Sequence, residues 1–139
     1  MARVLAIDYG KKRTGIAVTD PLQIIASGLQ TVSTGELNGF LERYLQEEEV
    51  STIVIGEPKQ MDYTDSELGG EINAFAEAVQ LKFPNVLVER VDERFTSKMA
   101  HASMLASGMK KKQRRNKALV DEIAATIILQ TYLDRKQAI

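Results

Sequence analysis

The sequence predicts an α/β domain built on a mixed five-stranded sheet flanked by helices. Three short segments rich in Val, Ile and Thr open the chain with no helix between them, as in an antiparallel meander. Helix-like and strand-like hydrophobic periods then alternate, which is typical of right-handed βαβ crossovers that add parallel strands. With 139 residues, 44% of them hydrophobic, the chain is long enough for one core, and we expect a single domain over residues 1–139.

The three opening strands are predicted over residues 3–9, 14–19 and 24–32, separated by the turn sequences GKK and DPL. A helix is expected next, with Thr34 as its N-cap and an acidic outer face. Its apolar residues recur with helical spacing: Leu37, Phe40, Leu41, Tyr44 and Leu45.

The central part of the chain predicts a strand, a helix and a further strand. STIVIG, residues 51–56, is a continuous apolar run, which suits a strand covered on both faces. Thr64 and Glu67 form a capping box for the second helix, which Pro84 ends. The stripe of that helix consists of Leu68, Ile72, Phe75, Ala76 and Val79. NVLVERVDERF then predicts the fifth strand.

After the fifth strand, Thr96 is expected to cap a short helix that stops at Gly108, and residues 109–116 are expected to form a loop. The last helix is predicted from Lys117 to Leu133. Its apolar surface is broad enough that we expect most of it to be buried. This surface consists of Leu119, Val120, Ile123, Ala124, Ile127 and Ile128.

Composition excludes several classes of function. The chain has no cysteine, which excludes thiolate chemistry. Its single histidine, His101, is expected to be an exposed helix residue, so we expect neither a catalytic triad nor a multi-histidine metal centre. A formal net charge of -1 favours neither a nucleic-acid nor a membrane partner by itself. There is no apolar run of about 18 residues, and the N-terminus enters a strand pattern directly. We therefore expect a cytoplasmic protein without a membrane partner.

Three acidic positions are unusual for charged residues. Asp8 ends the first strand, Asp92 and Glu93 end the fifth, and Asp121 lies on the apolar last helix. The carboxyl ends of parallel strands meet at one edge of a sheet, where ligands of open α/β sheets usually bind. Converging carboxylates repel one another unless a hard cation lies between them, which favours Mg²⁺ or Mn²⁺. Strand alternation leaves open whether Asp92 or Glu93 is the ligand.

The helical spacing places Asp121 on the same face as Ala124, Ala125 and Ile128, so its carboxylate is expected to point inward. The two alanines would let the helix approach the sheet closely.

This set of acids predicts hydrolysis of a phosphodiester, in which held metal ions stabilise negative charge on the entering and leaving oxygens. Asp8 is the expected bridging ligand, and Glu93 and Asp121 complete the set. Nearby cations are expected to hold phosphates on either side. These cations are Lys11, Arg13, Arg94 and Lys98.

A basic run, KKKQRRNK at residues 110–117, is the second functional signal. It contains neither an acid nor an aromatic residue, so it suits contact with a nucleic-acid backbone rather than base readout. A solvated loop is the structural alternative. The cations of this run are Lys110, Lys111, Lys112, Arg114, Arg115 and Lys117.

Each acid also has a structural interpretation. Asp8 could form a turn with Tyr9 and Gly10, which follow it. Glu93 could pair with Arg94 alone. Asp121 could interact with the helix dipole near the N-terminus of its helix.

Four segments together resemble the YqgF-type family of the RNase H-like superfamily, which is similar to Holliday junction resolvases. DYGKKRTGIA resembles the signature D-x-G-x-x-R-x-G-x-A, and the resemblance continues over residues 55–67, 91–97 and 110–133. The second segment begins IGEPKQ, the third is VDERFTS and the fourth begins KKKQRR. The chain departs from the family in having Glu57 where Leu is common, between Gly56 and Pro58.

The resemblance implies an RNase H-like fold and a bacterial cytoplasmic protein that matures the 5′ end of pre-16S rRNA. It also implies a carboxylate triad at Asp8, Glu93 and Asp121. Cleavage of four-way DNA junctions is the alternative activity, and a non-catalytic ribosome-assembly or nucleic-acid-binding module is the alternative class. An actin-like ATPase would need two such domains. We expect a monomer or a weak homodimer.

Overall fold

The computed structural model describes residues 2–57, 67–92 and 117–137, and in this part of the chain five strands form one sheet. The strands are β1 (Arg3–Asp8), β2 (Arg13–Thr19), β3 (Ala26–Ser33), β4 (Val50–Glu57) and β5 (Leu87–Asp92). The helices are α1 (Leu37–Glu47), α2 (Glu67–Lys82) and α3 (Lys117–Gln137).

The strand order is β3-β2-β1-β4-β5. The pairs β1–β2 and β2–β3 are antiparallel, whereas β1–β4 and β4–β5 are parallel. This confirms the predicted mixed five-stranded sheet, in which an antiparallel meander is extended by parallel strands.

The sheet carries a hydrophobic core on each face. Along β1, Leu5 and Ile7 pack in the core that contains α1 and α2, whereas Val4 and Ala6 pack in the core that contains α3. Residues 52–56 of β4 are buried without interruption. Burial on both faces explains why this segment reads as a continuous apolar run.

Helix α1 buries the predicted stripe residues Leu37, Phe40 and Leu41, but the predicted N-cap is wrong. A 3₁₀ turn at Thr34–Glu36 precedes the helix, and no side chain caps α1. The Thr34 hydroxyl instead donates to the backbone oxygen of Gly10 at 2.6 Å. A tertiary acceptor thus replaces the local helix terminus as the partner of this threonine.

Helix α2 ends at Lys82, before Pro84, as predicted, and β5 ends at Asp92. The predicted capping residue Thr64, the predicted helix between Thr96 and Gly108, and the predicted loop at 109–116 lie outside the described residues.

Helix α3 extends to Gln137, beyond the predicted end at Leu133. Arg135 and Lys136 occupy its last turn, where cations interact favourably with the helix dipole. Burial of the predicted apolar surface is only partial, because Leu119, Val120, Ile123 and Ile127 are half-buried. The buried stripe consists of Ala124, Ala125, Ile128, Leu129, Tyr132 and Leu133. None of the helices in the described part of the chain could span a membrane.

Candidate active site

Asp8 is the last residue of β1 and lies at the carboxyl edge of the sheet. It alternates in phase with Val4 and Ala6, so it lies on the face that α3 covers. It is half-buried, and its Cα pairs with that of Gly15 in β2. Asp8 therefore lies on the side of the sheet that faces α3, the helix that carries Asp121.

Helix α3 passes very close to the sheet at Gly15. A Cβ atom at this glycine would lie 2.1 Å from the backbone oxygen and 3.1 Å from the Cβ atom of Asp121. Helix α3 can occupy this position because residue 15 has no side chain. The same glycine thus pairs with Asp8 and contacts Asp121, which brings two of the three predicted ligands to one place.

Asp121 is half-buried and forms an ion pair with Arg13, the first residue of β2. The Arg13 Nε donates to Asp121 Oδ2 at 3.1 Å. Sequence reasoning missed this pair, because nothing local connects residues so far apart in the chain. Arg13 was predicted as a phosphate ligand, and in the structure its Nε is bonded to a carboxylate.

A hydrogen-bond network holds the turn between β1 and β2. The Thr34 hydroxyl donates to the Gly10 backbone oxygen, so the proton of its 3.0 Å bond with Thr14 comes from the Thr14 hydroxyl. The Thr34 backbone N–H donates to the Lys12 oxygen at 3.0 Å. Thr14 is fully buried. Sequence reasoning missed Thr14 and gave Thr34 a different role, although a threonine inside an apolar strand next to the glycine turn was a usable signal.

Tyr9 anchors the end of β1 on the opposite face of the sheet. Its ring lies 5.1 Å from that of Phe75 in α2, centroid to centroid. Burial, and to a smaller extent the negative charge of Glu71, raises the pKa of Tyr9 above its ordinary value. The hydroxyl therefore stays protonated at neutral pH.

Several predicted site residues lie outside the described part of the chain. Glu93 directly follows β5, and the backbone alone is described for Glu57, Asp92 and Lys117. The other predicted residues outside it are Arg94, Lys98, His101, Lys110, Lys111, Lys112, Arg114 and Arg115. Lys11 is described and exposed. Residues 2–57, 67–92 and 117–137 contain no cluster of three side chains that could hold a metal ion.

A mixed sheet of this order, with helices on both faces, defines an RNase H-like fold. RuvC of Thermus thermophilus, solved in complex with a Holliday junction substrate, superposes with a TM-score of 0.58 at 20% identity. The match covers 98% of this chain and 96% of that one. At this identity the likeness shows the fold alone.

Sequence comparison gives the family. The sequence model of the RuvX family, described as Holliday junction resolvase, matches residues 2–135, and the chain belongs to this family. RuvX proteins are nucleases, which are hydrolases acting on phosphodiester bonds.

Relatives carry a second description. A protein of Christiangramia forsetii is 61% identical over 133 residues, covering 96% of this chain and 98% of its own length. A protein of Phocaeicola vulgatus is 58% identical over 139 residues, covering all of both chains. Both are named "Putative pre-16S rRNA nuclease".

Proposed function

We propose that this protein is a metal-dependent endonuclease that cleaves structured RNA in the 5′-end processing of pre-16S rRNA. The observation that carries the proposal is that Gly15 pairs with Asp8 in the sheet and lies against Asp121 of α3, at the carboxyl end of β1. The names of the relatives supply the substrate class. The proposal includes action in the cytoplasm, as a monomer or a weak homodimer.

The donor set fits a hard divalent cation. Asp8, Asp121 and Glu93 offer carboxylate oxygens only, and oxygen ligands suit Mg²⁺ or Mn²⁺. The chain offers no cysteine as a competing soft ligand. When bound, such an ion would stabilise negative charge on the attacking and leaving oxygens of the phosphodiester. Asp8 and Asp121 would hold it from β1 and α3.

Strand alternation favours Glu93 over Asp92 as the third ligand. Val91 packs in the core that contains α3, on the same face as Asp8. Residues two apart in an extended strand share a face. If the extended backbone continued past Asp92, Glu93 would therefore be on the same side as Val91. A matched pair of variants, Glu93→Gln and Asp92→Asn, tests this assignment. We expect the first to abolish cleavage and the second to retain it.

Basic residues would hold the nucleic-acid backbone on both sides of the acids. Lys11 is exposed on the turn that follows β1. The basic run ends where α3 begins, and Asp121 lies about one helical turn further on. Phosphate contacts from Lys11, Arg94, Lys98 and the run 110–117 would make binding strongly dependent on salt.

The test incubates the purified protein with a 16S rRNA precursor and with a four-way DNA junction, each with Mg²⁺, Mn²⁺ or a chelator. We expect metal-dependent cleavage of the precursor and none in chelator. Asp8→Asn should bind the precursor with unchanged affinity without cutting it. Cleavage in chelator, or full activity of Asp8→Asn, would overturn the proposed mechanism.

Cleavage of four-way junctions is the second candidate function, favoured by the family description and by the RuvC-like fold. A resolvase cuts two strands symmetrically, which needs paired active sites. Light scattering would measure whether the protein is a stable dimer. A dimer that cleaves the junction and leaves the rRNA precursor uncut would favour this function over RNA processing. Binding of either nucleic acid without cleavage under any metal would favour the non-catalytic module.

A further inference from the structure

We propose that Arg13 is a positioning residue for Asp121 rather than a phosphate ligand. Its Nε donates to Oδ2 of the carboxylate, which would leave Oδ1 available to a metal ion. This inference rests on the proposed function, because it assumes that Asp121 holds a metal. The sequence predicted a phosphate of the nucleic acid as the partner of Arg13, whereas this inference gives it the carboxylate of Asp121.

Both ends of the ion pair are fixed by the backbone. Arg13 opens β2, and its Cα pairs with that of Ser33 in β3. Asp121 is held against Gly15, two residues further along β2 and therefore on the same face as Arg13. The bond uses Nε, the guanidinium nitrogen nearest the backbone, at 3.1 Å. Strand and helix together thus determine where this carboxylate is held.

The carboxylate keeps the capacity to bind a cation. An ionised aspartate offers about four acceptor positions on two oxygens. Among residues 2–57, 67–92 and 117–137, the Asp121 side chain accepts the one hydrogen bond from Arg13, on Oδ2. A carboxylate that binds a metal is commonly held in place by such an outer hydrogen bond.

The pair is too exposed to matter much for folding. The side chains of Arg13 and Asp121 are 41% and 23% exposed, and ion pairs of this kind contribute little to stability. What the bond does fix is the rotation of the carboxylate. An arginine that competed with the metal ion for the carboxylate would be displaced when the ion binds. An arginine that orients the carboxylate would stay hydrogen-bonded to Oδ2.

Charge and geometry predict opposite effects on metal affinity. The positive charge of Arg13 repels a cation, so on electrostatic grounds its removal would tighten metal binding. Loss of an orienting hydrogen bond weakens metal binding by about 10- to 100-fold. The sign of the change therefore separates a positioning residue from a nearby charge.

The experiment measures the Mn²⁺ dissociation constant of the full chain, by electron paramagnetic resonance or calorimetry, for wild type and three variants. Arg13→Lys keeps the charge but has no Nε, and Arg13→Gln removes both. Lys12→Gln removes a charge from the exposed neighbouring position and is the matched control. Circular dichroism and the melting temperature establish that each variant is folded, and Arg13→Lys decides the question if Arg13→Gln does not fold.

We expect both Arg13 variants to bind Mn²⁺ about 10-fold more weakly or worse, and Lys12→Gln to bind as tightly as wild type or slightly tighter. In chelator, Arg13→Lys should bind the rRNA precursor like wild type. Unchanged or tighter Mn²⁺ binding by the Arg13 variants would overturn the inference and leave the proposed function intact. A wild-type chain that binds no Mn²⁺ would instead overturn the proposed metal site, and the inference with it.

Discussion

Two aspartates near opposite ends of β2 show how the same side chain serves two purposes. Asp20, just beyond the carboxyl end of the strand, accepts three backbone N–H bonds on its own turn, from Leu22, Ile24 and Ile25, at 2.7 to 3.0 Å. Asp121 lies against the other end and accepts its bond from the side chain of Arg13. One carboxylate is satisfied by neighbours in sequence, and the other by a residue from a distant element.

This difference separates a structural acid from one that is suited to bind a ligand. The backbone bonds to Asp20 lower its pKa below the ordinary value, because they stabilise the charged form. They also use both of its oxygens. The turn so formed holds Leu22, Ile24 and Ile25 in exposed positions. The Asp121 carboxylate has one oxygen bonded to Arg13, and it lies at the edge of the sheet where ligands of α/β proteins usually bind.

The largest expected effect separates the two aspartates by activity. Asp121→Asn should lower the cleavage rate by about 1000-fold, because a metal ligand supplies several kcal/mol of transition-state stabilisation. Asp20→Asn should cleave at the wild-type rate, since it lies at the opposite end of β2. Both rates are measured on the rRNA precursor at saturating Mg²⁺. Equal losses in the two variants would remove the distinction between them.

The next effect tests the contact that positions Asp121. Gly15→Ala should lower the free energy of unfolding by about 3 kcal/mol, at the upper end for overpacking, since its Cβ would meet helix backbone rather than a flexible side chain. Gly70→Ala is the matched control. Nothing lies within 4 Å of a Cβ there, and alanine should stabilise α2 by about 0.5–1 kcal/mol. Urea denaturation measures both, and a stable Gly15→Ala would contradict the close approach of α3.

A smaller effect depends on pH and concerns Asp20. Its folded pKa lies below the ordinary value of 3.8, so the unfolded chain takes up the proton first as the pH falls. The stabilisation by Asp20 is therefore fully present well above pH 3.8 and is lost as the pH falls through its folded pKa. The difference in unfolding free energy between wild type and Asp20→Asn should be constant near neutral pH and shrink in acid. If this difference in unfolding free energy grew in acid, the pKa of Asp20 would be raised rather than lowered by folding.

The smallest effect is expected on the exposed side of the same turn. Ile24 is 62% exposed, and its contribution to the turn is a backbone N–H bond to Asp20 that serine can also make. Ile24→Ser should change the free energy of unfolding by no more than about 0.5 kcal/mol. Thermal denaturation provides the measurement. A loss of several kcal/mol would mean that the side chain, and not the carboxylate of Asp20, holds the turn.

Hydrophobic period predicted the order of the described elements, because burial on one or both faces of a strand leaves a direct pattern in the sequence. The stripe of α1 and the continuous run of β4 were both readable in this way. The N-cap at Thr34 was not, since its hydroxyl has a tertiary acceptor at Gly10. The roles of Glu93 and of the basic run 110–117 stay predictions.

The sequence by itself determined the strand and helix types, the absence of cysteine chemistry and the acids to consider, because these follow from residue type and local spacing. Tertiary structure alone decided that Gly15 lets α3 reach the sheet edge beside Asp8, and that Arg13 bonds to Asp121. Contacts between residues distant in the chain depend on how helix and sheet pack. Local sequence patterns therefore do not predict them.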